Sequence, residues 1–247
     1  NPVKAPTKNR HFIVDGGNGI KPFAVAAGEV DLATTDLLKM DTIDGIRTYM
    51  EQIALPPPPV IFEGDKAATD SPLRVLMVSS AQYSLFAADP AFRGFQASAM
   101  ARPSQAGGHP LFMGDAGLWN GVLIVKMPKP IRFYAGDTIK YCADVSSEAE
   151  TSCIVPASFG TTFAVDRAIL LGGQAVAEAM AAHKDSSLPF FWSEKELDHG
   201  DKVELLLGAI RGVSKIRYEV DHGNGTQITD YGVTVIDTAV PIIGERN

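Results

Sequence analysis

The chain has 247 residues, 29 acidic and 22 basic, and a formal net charge of −7 at neutral pH. With 45% hydrophobic and 21% charged residues it has a globular composition, which excludes disorder as a description of the whole chain. An acidic balance without a basic block also excludes a protein that grips nucleic-acid phosphates, since that takes clustered Lys and Arg. The length fits one large domain or two small ones. The polar start NPVKAPTKNR has no apolar signal region, and no apolar run nears the roughly 18 residues that span a bilayer, so no membrane role is expected. The absence of an initiator Met reads as a processed, trimmed or fragmentary start.

Residues 1–30 are rich in Gly, Pro and Asn, with a strand-like FIV at 12–14, and read as an extended lead-in segment. From Asp36, the residues Leu38, Ile43, Ile46, Met50 and Ile53 recur at helical spacing. Thr34 or Thr35 is the expected cap, and Pro56–Pro59 end this helix. Strands are expected at Val60–Glu63 and Arg74–Ser80. A helix follows to Met100, capped by Ser80, interrupted at Pro90 and anchored by Tyr83, Phe86, Phe92 and Phe95. Beyond the polar loop ARPSQAGGHP, strand character resumes at Leu118–Val125 and Ile131–Tyr134. Residues 163–182 read as a second helix despite Gly172–Gly173, for which close packing is the better explanation. The final third alternates strand-like runs, VELLLGAI, VSKIRYEV and YGVTVIDTAV, with turns such as DHGNG. Helices and strands mix without a βαβ cadence, which favours α+β.

Few residues point to chemistry. The five histidines are scattered, with no HxH or HxxxH spacing for a metal. Gly16–Gly17–Asn18–Gly19 lacks the Lys-Ser/Thr of a phosphate loop, and no GxSxG elbow activates a serine. No cofactor is expected. Asp198, His199 and Asp201 form the densest polar cluster; a turn before VELLL is its simplest reading, and a hydrolase site its catalytic one. Cys142 and Cys153 either bridge a hairpin or remain buried thiols.

One ordered set of motifs is more specific. A strand leads into a helix bearing Tyr83, Phe86, Asp89 and Pro90, and a loop then brings His109, Pro110, Leu111, Phe112, Gly114, Gly117, Trp119, Gly121 and Val122. Later come Asp166, Arg167 and Ala168 with Leu170–Gly172, Gln174 and Ala175. Trp192–Glu194, Asp198, Gly200, Gly212, Lys215 and Asp230–Val233 close the set. From Asn9 to Ala239 this resembles the major capsid proteins of tailed bacteriophages, particularly the N-four-like podophage family.

The resemblance implies an α+β, HK97-like phage capsid fold and no enzymatic role. Residues 31–185 would form an axial-type domain, and 186–247 would return as strands to a peripheral-type domain. In the family an N-terminal arm, an extended loop and a spine helix precede the region where this chain begins, which implies a trimmed chain. The implied function is a structural subunit that self-assembles into the hexamers and pentamers of an icosahedral head, found in the virion after assembly in the host cytoplasm. Its partners would be further copies of itself and packaged double-stranded DNA held without sequence specificity, with scaffolding, portal and decoration proteins besides. His109, Pro110, Leu111, Phe112, Gly114, Gly117, Trp119, Asp166, Arg167 and Gln174 would be the motif or subunit-contact residues. A bacterial nanocompartment (encapsulin-like) shell is the alternative within the same fold.

Overall fold

Apolar runs too continuous for one-sided burial become the central strands of a sheet that is covered on both faces. The computed structural model describes residues 4–17, 19–53, 55–60, 74–94, 116–182, 189–221, 223 and 225–243. In chain order the first elements are β1 (His11–Asp15), β2 (Gly19–Pro22), β3 (Val25–Ala26), β4 (Glu29–Val30) and α1 (Met40–Gln52). Next come β5 (Arg74–Val78), α2 (Ser80–Ala87), β6 (Ala116–Trp119), β7 (Val122–Lys126), β8 (Ile131–Tyr134), β9 (Thr138–Cys142) and β10 (Glu150–Ile154). The remainder are β11 (Phe163–Leu171), β12 (Val176–Met180), β13 (Phe190–Leu197), β14 (Lys202–Ala209) and β15 (Arg211–Lys215). The hairpin strands β16 (Arg217–Asp221) and β17 (Thr226–Asp230) then lead to β18 (Val233–Pro241).

The main sheet runs β2-β1-β18-β11-β5-β7-β6, with β8 sharing one edge of β11. β1 lies parallel to β18, and β18 antiparallel to β11. Alternation along these strands sorts their side chains between two cores. Phe12, Val14, Ala168, Leu170 and Ile236 meet α1 and α2 through Ile43, Ile46, Met50 and Phe86, together with Leu38 just before α1. Ile13, Val165 and Ala239 meet the small sheet β3-β4-β10-β9 through Val30, Ile139 and Cys153, together with Phe159 in the turn after β10. The result is three layers: helices, main sheet and small sheet.

Several expectations are corrected. Residues 163–182 are not a helix. Phe163–Leu171 is the strand β11, buried on both faces, and a strand covered twice loses the period-two alternation that distinguishes it. Gly172 and Gly173 end that strand, and β12 begins at Val176. Helix α1 begins at Met40 and not at Asp36, because Asp36 accepts from the amides of Gly16 (3.1 Å) and Ala33 (2.8 Å). The N-cap of α2 is Ser79, one residue before the expected Ser80, in a reciprocal capping box with Gln82. The strand expected at Val60–Glu63 and the helical stretch to Met100 lie partly outside the described residues.

The pair Gly172–Gly173 does pack closely. A Cβ on either would stand 2.7–2.8 Å from atoms of the Pro57–Pro59 segment, and the Gly173 amide donates to the Pro58 carbonyl at 2.7 Å. Arg10 and Arg74 donate to the carbonyls of Leu55 (2.5 Å) and Pro57 (3.1 Å). An extended proline run has no donors of its own, so its carbonyls depend on such outside partners. Both cysteines are buried thiols. Cys142 pairs across the β9–β10 hairpin with Glu150, and Cys153 with Ile139. The three-residue offset between Ile139 and Cys142 puts the two sulfurs on opposite faces of the hairpin.

By internal contacts the chain forms two units. Unit 1 is Asn1–Ala175 with Arg217–Asn247, and unit 2 is Val176–Ile216.

Candidate assembly surface

Unit 2 consists of two antiparallel ribbons, β13–β14 and β12–β15. In β13–β14 the register sets Phe190 opposite Ala209, Trp192 opposite Leu207, Glu194 opposite Leu205 and Glu196 opposite Val203. Alternation puts these eight residues on one face. The other face carries Phe191, Ser193, Lys195, Leu197, Lys202, Glu204, Leu206 and Gly208. The first face is therefore an apolar stripe with two carboxylates and no cation, and the second is mixed. Trp192 is 66% exposed, Leu205 58% and Leu207 72%. On β12–β15, Val176, Met180 and Val213 are also exposed. A two-stranded ribbon is marginal in water by itself, and an apolar patch of this kind marks a surface built to be covered.

The tip of the β13–β14 ribbon holds the Asp198–His199–Gly200 turn, all of it exposed. Asp198 pairs with Lys202 at 2.7 Å, and no apolar wall encloses the cluster. It is a hairpin turn in geometry.

The motif residues of unit 1 have structural partners. Asp166 and Arg167 are neighbours on β11 and so point to opposite faces. Asp166, fully buried, receives a bidentate pair from Arg132 directly across on β8, with Nε and Nη2 at 2.7 and 2.8 Å. Arg167 grips Asp237 of β18 in the same way, at 2.7 and 2.8 Å, and its guanidinium lies over the Phe133 ring. His11 Nε2 is 2.8 Å from the second Asp237 oxygen, and the imidazole stacks on Phe23. Burial works against the Asp237 charge, but Arg167 and His11 outweigh it and hold the carboxyl well below the usual range. Burial likewise disfavours the Arg167 charge, and Asp237 more than restores it. The triad joins β1, β11 and β18 side by side.

Gly117 is buried against Phe86 and Phe92, whose ring centroids are 4.4 Å apart. Trp119 is half-buried, and its indole N–H donates to Asp44 of α1 at 2.9 Å. Asn120 and Gly121, both at positive φ, make the two-residue β6–β7 turn. Gln174 is exposed, at φ +56°, in the turn before β12. His109, Pro110, Leu111, Phe112 and Gly114 lie outside the described residues.

Sequence reasoning passed over three residues of this framework: His11, Asp237 and Gln82. Gln82, fully buried, accepts from the Ser79 amide and donates to the Asp166 carbonyl and Thr238 Oγ1, both at 2.9 Å. A Ser-x-x-Gln directly after a strand was its available signal. Nothing in the sequence pairs Arg167 with Asp237, which are seventy residues apart.

Residues 1–242 match the model of a family described as phage capsid protein. The chain belongs to the phage capsid protein family. Its fold agrees. The capsid of Ralstonia phage GP4 superposes with a TM-score of 0.58 at 21% identity, over 98% of this chain and 55% of that one. The cyanophage Pam1 capsid asymmetric unit gives 0.55 at 12% identity, over 94% and 55%. The acid-stable capsid of Helicobacter pylori bacteriophage KHP30 gives 0.52 at 17%, over 83% and 60%. This capsid-family chain therefore has the HK97-like fold, and it spans a little over half the length of the solved capsid chains it resembles. No curated protein matches it significantly by sequence.

Proposed function

We propose that this capsid-family chain is shell-forming material of a phage head. In this reading it self-associates into hexamers and pentamers of an icosahedral capsid around double-stranded DNA. The observation that carries it is the unpartnered ribbon. A β-ribbon with Trp192, Leu205 and Leu207 open to water reads as a surface built to be covered. Residues 31–185 are proposed as axial-type and 186–247 as returning toward the peripheral domain. Assembly would take place in the host cytoplasm, with scaffolding, portal and decoration proteins as further partners.

The charge of −7 suits a wall that encloses DNA without adhering to it, because phosphates are repelled at short range. Electron microscopy of the purified protein tests the reading: rings, capsomers or closed shells are expected. A chain that stays monomeric at every concentration, in native phage lysate as well as in isolation, overturns it.

A further inference from the structure

We infer that the apolar face of the β13–β14 ribbon docks on the Lys126–Ile131 turn of a second copy of this chain. The contact would be a heterologous one, between unlike surfaces. This rests on the self-association proposed above and specifies which surfaces meet.

The argument is from charge sorting. The ribbon face holds Phe190, Trp192, Val203, Leu205 and Leu207 beside Glu194 and Glu196, with no cation among its eight residues. Lys195 and Lys202 are both on the opposite face. Two copies of this face packed on each other would bring like carboxylates together while burying them, so a symmetric contact is disfavoured. The fitting surface is one where exposed apolar groups flank an available cation. The turn after β7 supplies it: Pro128, Lys129, Pro130 and Ile131 are exposed in sequence, Ile131 at 38%, whereas Lys126 at its start is half-buried with its ammonium over the Tyr83 ring of its own chain, 4.9 Å from the centroid. Lys129 makes no ion pair among the described residues. Prolines at 128 and 130 stiffen the turn, which lowers the ordering cost of docking on it.

A contact between unlike surfaces has a geometric consequence. Repeated by rotation it closes into a ring, whereas a like-on-like contact stops at a dimer.

The test is a charge exchange in the full-length protein, read by mass photometry across a concentration series and by negative-stain microscopy. E194K/E196K should raise the concentration at which oligomers form by about tenfold or more. K129E should do the same, and the two combined should restore assembly to within about threefold of wild type. The fluorescence of Trp192 should shift to the blue as wild-type oligomers form, and L205N/L207N should abolish that shift. Assembly that ignores both reversals, or that is not rescued by their combination, overturns this docking and leaves self-association standing. Wild type that never oligomerises overturns self-association itself.

Discussion

Asp237 shows how much of this fold rests on single ionised groups. It is fully buried, yet its charge is kept by Arg167 and His11. Removing one partner of such a pair leaves an uncompensated buried charge, so Arg167→Met should destabilise by about 3–5 kcal/mol. Arg167→Met combined with Asp237→Leu should recover much of that loss, and urea denaturation of the three proteins checks both statements. The sign of the pH dependence follows from the same geometry. The folded pKa of Asp237 lies below its ordinary 3.8, so the pair contributes in full above that value. The contribution is lost as the pH falls towards the folded pKa. Between pH 7 and pH 3 the urea midpoint of wild type should fall further than that of Asp237→Asn. Cys153 is a simpler case. Burial pushes its thiol up to about 11, so a thiol reagent at pH 7 should label it only on unfolding.

At the scale of elements, the sequence was readable for several elements with one face towards water. Helix α1 and the strands at 74–78, 122–126 and 131–134 all stand near their expected places. The misreading at 163–182 has a physical cause. β11 lies between two cores, so Ala164, Val165, Ala168 and Leu170 are all buried, and a run of this kind carries no period to read. Only the pairing with β18 on one edge and with β5 and β8 on the other decides the conformation. Gly172–Gly173 marked the end of the strand, and its reason is the Pro57–Pro59 backbone packed against it. Gly172→Ala should overpack that junction by about 1–3 kcal/mol. Gly212→Ala, on the open β12–β15 ribbon with nothing near its Cβ position, should leave the thermal midpoint unchanged. Differential scanning calorimetry separates the two.

For the whole molecule, the motifs pointed to the family without revealing what each residue does. Asp166 and Arg167 stood out in the sequence, and the structure makes them ties between strands within one chain. Trp119 is tied to Asp44 of its own α1. The most exposed apolar surface is the ribbon, whose open side escaped notice because VELLLGAI reads simply as a strand-like run. Net charge remains informative at this scale. Binding to duplex DNA should be undetectable at physiological salt by fluorescence anisotropy, and an affinity that falls steeply with added salt would contradict the acidic-wall reading.

The place of β18 between β1 and β11 bears on the order of events during synthesis. β18 follows every other described element in the chain, yet it is the strand on which the main sheet closes. A growing chain therefore carries β1 unpaired on that side through the translation of everything between them. Such distant pairing makes folding slow and late. A ribosome-stalled chain ending before Val233 should be cut by protease within unit 1, and one extended well past Pro241 should resist. Docking of neighbours would then be withheld from unfinished chains by the timing of a single strand.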